Sequence, residues 1–217
     1  MKNNLLPIAK QGWGYTLGAI LFFIIFAILD LGFLQFLAFI ATAFFVFVFR
    51  NPEREHPYYQ ENSVVSPVDG VVSSIDEFKN DEYAYRLEIN STYLNVSQLR
   101  VPFSSTLHSI EKQNGARLSR FSSLSKSINE NTELTFIDKN SNRLKIIHRL
   151  KQSFMGIDIK ALKSQKLYQG SRYGLMINGV TTLYLPKNFR LNVNVGSELV
   201  ASETLVGYFT KEDKTTK

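Results

Sequence analysis

The chain has no cysteine and only three histidines, His56, His108 and His148. The first absence excludes disulfides, thiolate metal ligands and cysteine nucleophiles. The second leaves no two imidazoles at metal-ligand spacing, so no metal site is expected. Charge is also missing from one long stretch. Residues 15–49, YTLGAILFFIIFAILDLGFLQFLAFIATAFFVFVF, carry Asp30 and no other charged residue.

As a single helix those residues would run roughly 52 Å, against ~30 Å of bilayer hydrocarbon. Two spans fit better, about 13–29 and 31–49, turning near Asp30 and Gly32. The stretch is too long for a signal peptide and lacks a small-residue cleavage site. Lys2 and Lys10 precede it, and Arg50 and Arg54 follow it. Basic residues on both flanks put both ends in the cytoplasm. The expected organisation is a transmembrane helical hairpin over 1–49 and a cytoplasm-facing domain over 50–217, as on a bacterial inner membrane. Asp30, at the break, reads as a solvated turn residue rather than an intramembrane carboxylate.

From Arg50 onward the helical period fades. Short alternating or β-branched runs recur at 64–65, 71–75, 85–89, 134–137, 144–150, 183–185, 191–195 and 199–206, separated by turns such as DGVV, KNSNR and NVGSE. Many short strands with turn punctuation predict a mainly β domain, a sandwich or partly open barrel. Polar SSLSKSINENTE (122–133) reads as a loop. SPVDGVVSSI (66–75) and VPFSSTLHSI (101–110) form a faint internal repeat. NVGSELVASETLVGYF (194–209) has the glycine-turn-then-hairpin pattern of lipoyl- and biotinyl-type domains, which predicts a hammerhead-like hairpin at the C-terminal end. Ala201 and Ser202 stand where a carrier would need its lysine, so a swinging arm is not expected. LKIIHRLK alternates, with Lys145, Ile147 and Arg149 on one face of a strand.

The formal charge of +6 suits an anionic partner. The positive residues are dispersed and no nucleic-acid reading motif surrounds them, so membrane phospholipid is the expected partner and nucleic acid is not.

Five short stretches stand in a telling order: IAKQGW (8–13), FRNPER (49–54), SPVDG (66–70), GSRYG (170–174) and LYLP (183–186). With the VGSELVASETLVG segment behind them, they resemble the phosphatidylserine decarboxylase family in its short, membrane-anchored, pyruvoyl form. The resemblance covers nearly the whole chain. It implies a carboxy-lyase of phospholipid metabolism that makes phosphatidylethanolamine from phosphatidylserine. In such a family a serine hydroxyl attacks the carbonyl of the glycine before it, and elimination and hydrolysis leave a pyruvoyl group on the new chain start. Its ketone condenses with the substrate amine and accepts the electrons released as carbon dioxide leaves.

The same resemblance assigns site residues. Asp69 stands at the SPxDG aspartate that takes part in self-cleavage, although Asp-Gly is also a common turn pair. The family pattern D-V-H-x-x-R-x-P meets NVSQLRVP (95–102). Arg100 and Pro102 match, Asn95 replaces the aspartate, and Ser97 replaces the histidine and cannot act as an imidazole would near neutral pH. Where the family reads G-S-R/T before LYLP, this chain reads I-N-G-V-T-T. Gly179 is present, Val180 has no hydroxyl, and Thr181 is a late nucleophile whose elimination would give a 2-oxobutanoyl group. Gly170-Ser171 is a literal Gly-Ser pair, but it corresponds better to an earlier G-x-R-F/Y-G step.

Three departures thus fall on one chemistry. They point to a divergent member with impaired or lost self-cleavage, and to no cofactor unless a self-derived pyruvoyl group forms. Two other readings stay open: an active decarboxylase with Ser171 or Thr181 as displaced nucleophile, and a non-catalytic membrane protein that binds phospholipid, a second copy or an active paralogue. Arg50, Arg54 and Arg100 are the candidates for holding an anionic head group.

Overall fold

The computed structural model describes residues 6–55, 59–78, 82–119 and 121–210; Lys2, one of the flanking charges, lies outside them. The chain divides into two compact units, one ending at Glu53 and the other beginning at Arg54.

In the first unit the apolar stretch forms α1 (Trp13–Ile28) and α2 (Gly32–Val48). No proline interrupts either helix, so the backbone ladder runs on until Asp30 takes a φ of 56°. That left-handed turn is a common helix ending, and a short polar side chain tolerates it. The helices pack along each other, and their outer ends are tied by an antiparallel bridge between Ile8 and Arg50. Ala9 N donates to Phe49 O at 2.9 Å and Asn51 N to Pro7 O at 2.8 Å. Gly12 permits this closure, because a Cβ there would collide with the Phe49 ring. Large apolar side chains point outward, with Phe33 75% and Leu21 57% exposed. Residues Lys10–Ile28 are long and apolar enough to cross a membrane; α2, at 17 residues, is shorter.

The second unit is mainly β. Its strands are β1 (Ser63–Val65), β2 (Gly70–Glu77), β3 (Tyr83–Asn90), β4 (Gln98–Arg100), β5 (Ser105–Gln113), β6 (Asn131–Ile137) and β7 (Arg143–Leu150). Then come β8 (Asp158–Ile159), β9 (Lys166–Leu167), β10 (Arg172–Leu175), β11 (Gly179–Pro186), β12 (Phe189–Leu191), β13 (Glu198–Leu199) and β14 (Leu205–Phe209). An eight-stranded sheet runs β13-β2-β3-β11-β7-β6-β5-β9, beside three-stranded sheets β1-β14-β12 and β4-β10-β8. The pairings are antiparallel. The large sheet stays open, with β13 and β9 as its edges, and the described residues form no closed barrel.

Two local expectations change. The 194–209 segment is not a hairpin: β13 pairs with β2, whereas β14 pairs with β1 and β12. The turn between them is captured by the 66–69 loop, with Ser202 N donating to Ser66 O at 2.8 Å. The 122–133 segment is not all loop. Ser125–Ile128 make one helical turn, and Asn131–Glu133 begin β6. Its polar composition hides a strand whose outward Glu133 is ion-paired across the ladder with Lys145.

Strand alternation builds the core. Leu87 and Ile89 on β3, Leu134 and Phe136 on β6, Leu144 and Ile146 on β7, and Leu183 and Leu185 on β11 are all fully buried. Their chain neighbours face the opposite side of the sheet. Leu183 sits on the central strand, where the sheet cannot collapse around a void. Leu183→Ala is expected to cost about 2–5 kcal/mol, read as a lowered unfolding midpoint in detergent.

Candidate functional site

The SPxDG aspartate is tightly held. Asp69 Oδ2 meets Arg54 Nη2 at 2.7 Å and accepts Val96 N at 3.4 Å, while Oδ1 accepts Ala201 N at 2.8 Å. Both side chains of the ion pair are buried. Asp69 therefore gathers three distant segments onto the loop before β2: the stretch at Arg54, the approach to β4, and the turn between β13 and β14. Its own carbonyl accepts Ser91 Oγ at 2.5 Å. Ser91 N in turn donates to Gly179 O at 2.9 Å. Ser97, one residue past Val96, is buried, and its carbonyl accepts Met176 N at 2.9 Å. So Asp69, Ser97 and Gly179, separated in sequence, are brought together at one end of the large sheet.

The start of β11 is clamped on both sides. Val180 is opposite Asn90 on β3 and Arg149 on β7; Thr181 is opposite Ile89 and His148. Gly179 is required here: a Cβ would run into the Met176 side chain and lie 2.8 Å from Arg149 O. Alternation then sends Val180 to one face and Thr181 to the other. Thr181 Oγ1 lies 2.8 Å from His148 Nδ1, and His148 Nε2 lies 2.6 Å from the Tyr173 hydroxyl. All three residues are fully buried. Burial pushes the His148 pKa down to about 3 and the Tyr173 pKa up, so the trio is neutral. Sequence reading passed over His148. The signal was present: the alternation that puts Lys145, Ile147 and Arg149 on one face puts His148 on the other, the inward one.

On the Val180 face lies a cavity of about 160 Å³. Val180, Glu88, Lys126, Arg149 and Lys151 contribute to its wall. Lys151 Nζ donates to Asn90 Oδ1 at 2.7 Å, and Lys126 Nζ is 4.0 Å from Glu88 Oε1. Arg149 Nε is buried with no hydrogen-bond partner among the described residues. Three cations face one carboxylate.

The remaining predicted residues lie elsewhere. Arg100 is buried and its Nη1 donates to Gly170 O at 3.1 Å. Ser171 Oγ donates to Tyr168 O at 2.6 Å within its own turn, so its hydroxyl faces a carbonyl rather than a base. Arg50 Nη1 donates to Phe47 O at 2.9 Å. None of Arg50, Arg54 and Arg100 lines the cavity. His108 is exposed on β5.

A family model for phosphatidylserine decarboxylase matches residues 41–207. The phosphatidylserine decarboxylase proenzyme of Geotalea uraniireducens is 30% identical, covering 95% of this chain and 99% of the relative. The proenzyme of Geotalea daltonii is 31% identical, with 97% and 100% covered, and that of Geobacter metallireducens is 30% identical, with 95% and 99% covered. No solved structure matches. The chain belongs to the phosphatidylserine decarboxylase family.

That membership implies a self-derived pyruvoyl group, which can be tested against the residues here. Serine dehydration is its only source in such a mechanism, and neither Gly179 nor Val180 carries a hydroxyl. The segment as it stands does not fit a pyruvoyl group at either position.

Two outcomes follow from these contacts. Removing one partner of a buried ion pair strands the other, at a cost of about 3–5 kcal/mol. Asp69→Ala and Arg54→Ala should each lower stability on that scale, and the double variant should lose clearly less than the sum in a double-mutant cycle. For His148, the unfolded chain binds a proton below about pH 6.5, whereas the folded chain resists until about pH 3. Unfolding therefore takes up a proton in that window, and stability falls on acidification by about 1.4 kcal/mol per pH unit. His148→Gln should remove that part of the slope between pH 6 and pH 4 in unfolding curves, whatever it does to stability at pH 7.

Proposed function

We propose that this protein is a phospholipid-handling member of the phosphatidylserine decarboxylase family that does not cut itself and does not decarboxylate. In this reading 1–49 anchor the chain as a two-helix hairpin, with the β domain on the cytoplasmic side of the membrane. The domain binds phospholipid, or a second copy or active paralogue, without completing the reaction. The observation that carries the reading is the side chain at position 180. It faces the cavity from the start of β11 and is an isopropyl group. Two further features support it. Ser97 replaces an imidazole, and the Asp69 carboxylate is already occupied by Arg54 and two backbone N–H groups.

The His148–Thr181 contact favours a second reading. With its proton on Nε2, His148 can take the Thr181 proton as the oxygen attacks the Val180 carbonyl. The Val180–Thr181 C–N bond breaks as the ester forms; loss of the Thr181 Cα proton to a base then expels the carboxylate of Val180 from Cβ and leaves an enamine at residue 181. Hydrolysis of the new enamine end releases ammonia and leaves a 2-oxobutanoyl group. Against this, Thr181 sits in the core behind the strand, on the face away from the cavity.

Intact mass of detergent-purified full chain, before and after borohydride, separates the two. The first reading expects one species at 24.8 kDa, unchanged by borohydride. Fragments 1–180 and 181–217, the smaller gaining mass on reduction, would establish the second; a cut before Ser171 would sink both.

A further inference from the structure

The end of the β domain that holds the cavity also carries several strongly exposed apolar side chains. Leu94 follows β3 and is 74% exposed; Phe121 and Leu124 precede the helical turn at Ser125 and are 90% and 56% exposed. The 151–155 turn after β7 ties these segments together. Tyr93 Oη donates to Gln152 O at 2.9 Å, and the Tyr93 ring stacks on Phe154 with centroids 6.3 Å apart. Arg117 Nη1 donates to Ser153 O at 3.0 Å, and Asn129 Nδ2 donates to both Leu118 O and Leu150 O. Asn178 Nδ2, one residue before β11, donates to Gln152 O as well. Apolar tips thus flank a cavity whose wall bears Lys126, Arg149 and Lys151.

Water is a poor partner for the apolar half of this surface. Isolated exposed apolar residues are ordinary, but several on adjoining loops beside a cationic cavity match the bilayer interface, with acyl chains below and phosphates above. The charge of the wall makes the case for an anion: Lys126, Arg149 and Lys151 line the cavity, with Glu88 as the carboxylate among the lining residues. A phosphate there would meet cationic donors.

We propose that this end of the β domain docks on the membrane, with Leu94, Phe121 and Leu124 entering the acyl region and Arg149, Lys126 and Lys151 receiving the phosphate of an anionic phospholipid. The proposal rests on the reading that the protein handles phospholipid, and it replaces Arg50, Arg54 and Arg100 as the head-group cations. Glu88, opposite Lys126, gives the cavity one acceptor for an ammonium, which suits a zwitterionic substituent on that phosphate.

The absence of native cysteine makes the test direct. Full-length chain carrying Phe121→Cys or Leu94→Cys is labelled with a nitroxide and reconstituted into phosphatidylcholine vesicles, with or without phosphatidylserine. Asn140→Cys, on the turn between β6 and β7 at the other end of the sheet, is the control. With phosphatidylserine present, accessibility to oxygen relative to a water-soluble nickel complex should rise severalfold at 121 and 94 and stay low at 140. Arg149→Gln, or the exposed Lys126→Gln should the first fail to fold, should reduce that rise toward the phosphatidylcholine value. A label that stays aqueous in every vesicle overturns the proposal, and so does burial that ignores both lipid composition and the two substitutions. Intact mass of the same samples reports separately on self-cleavage, so fragments there would unseat the proposed function without touching the docking result.

Discussion

Pairing of β11 on both sides decides which chemistry its residues can reach. Held by β3 and β7 from Gly179 or Val180 onward, the strand cannot rotate or slip without breaking two ladders at once. A slip of one residue would also turn Leu183 and Leu185 out of the core. The period of two is therefore enforced where it matters most, at the entrance to the strand. Val180 belongs to the cavity and Thr181 to the interior, and no local adjustment exchanges them. A hydroxyl at 181 is one residue away in sequence, yet it lies on the other side of the sheet.

Asp69 shows the same logic in electrostatic form. A buried carboxylate needs compensation for the water it has lost. Here a guanidinium and two backbone N–H groups supply it, and each comes from a different part of the chain. The residue works as a fastener between loops that strand pairing alone leaves unjoined. With both oxygens engaged by these donors, less of the carboxylate is left for a neighbouring hydroxyl. Holding the end of the sheet together and activating a nucleophile are competing uses of the same two oxygens.

Much of this was legible in the sequence, for identifiable reasons. The helix ends came within a residue, because a charge-free stretch broken by Asp30 and Gly32 leaves little choice. Alternation at 144–150 gave β7 its faces. The motif order pointed to Asp69, Ser97 and Gly179, which lie at one end of the large sheet. What stayed hidden was long-range. Nothing in Ala201 or Ser202 announces that the turn answers to Asp69 and Ser66 rather than closing a hairpin. Asn131–Glu133 read as loop because their outward polar groups are satisfied only across the ladder. The cationic cavity drew residues from β3, β7, β11 and the 125–129 turn, and although β7 is basic in sequence, nothing in it announces that Arg149 shares a wall with Lys126. Proximity to the apolar stretch points to arginines as head-group cations, whereas the structure commits Arg54 and Arg100 inside the β domain.

Binding a lipid and transforming it place separable demands on this site. Phosphate recognition needs cations, and membrane docking needs apolar tips; neither depends on the residue at 180. Decarboxylation needs an electron sink within reach of the bound amine, and β11 offers valine at that point. Interactions made equally with bound lipid and with a reacting lipid confer affinity without rate. A surface built from Arg149, Lys151 and the exposed loop tips would hold its lipid beside Val180 with nothing there to react. In the reading proposed above, that is a retention device built on an enzyme's scaffold. On that reading the wall of the cavity and the face of the strand would put the head group where the family's chemistry would occur, and the side chain at 180 would leave it unreacted.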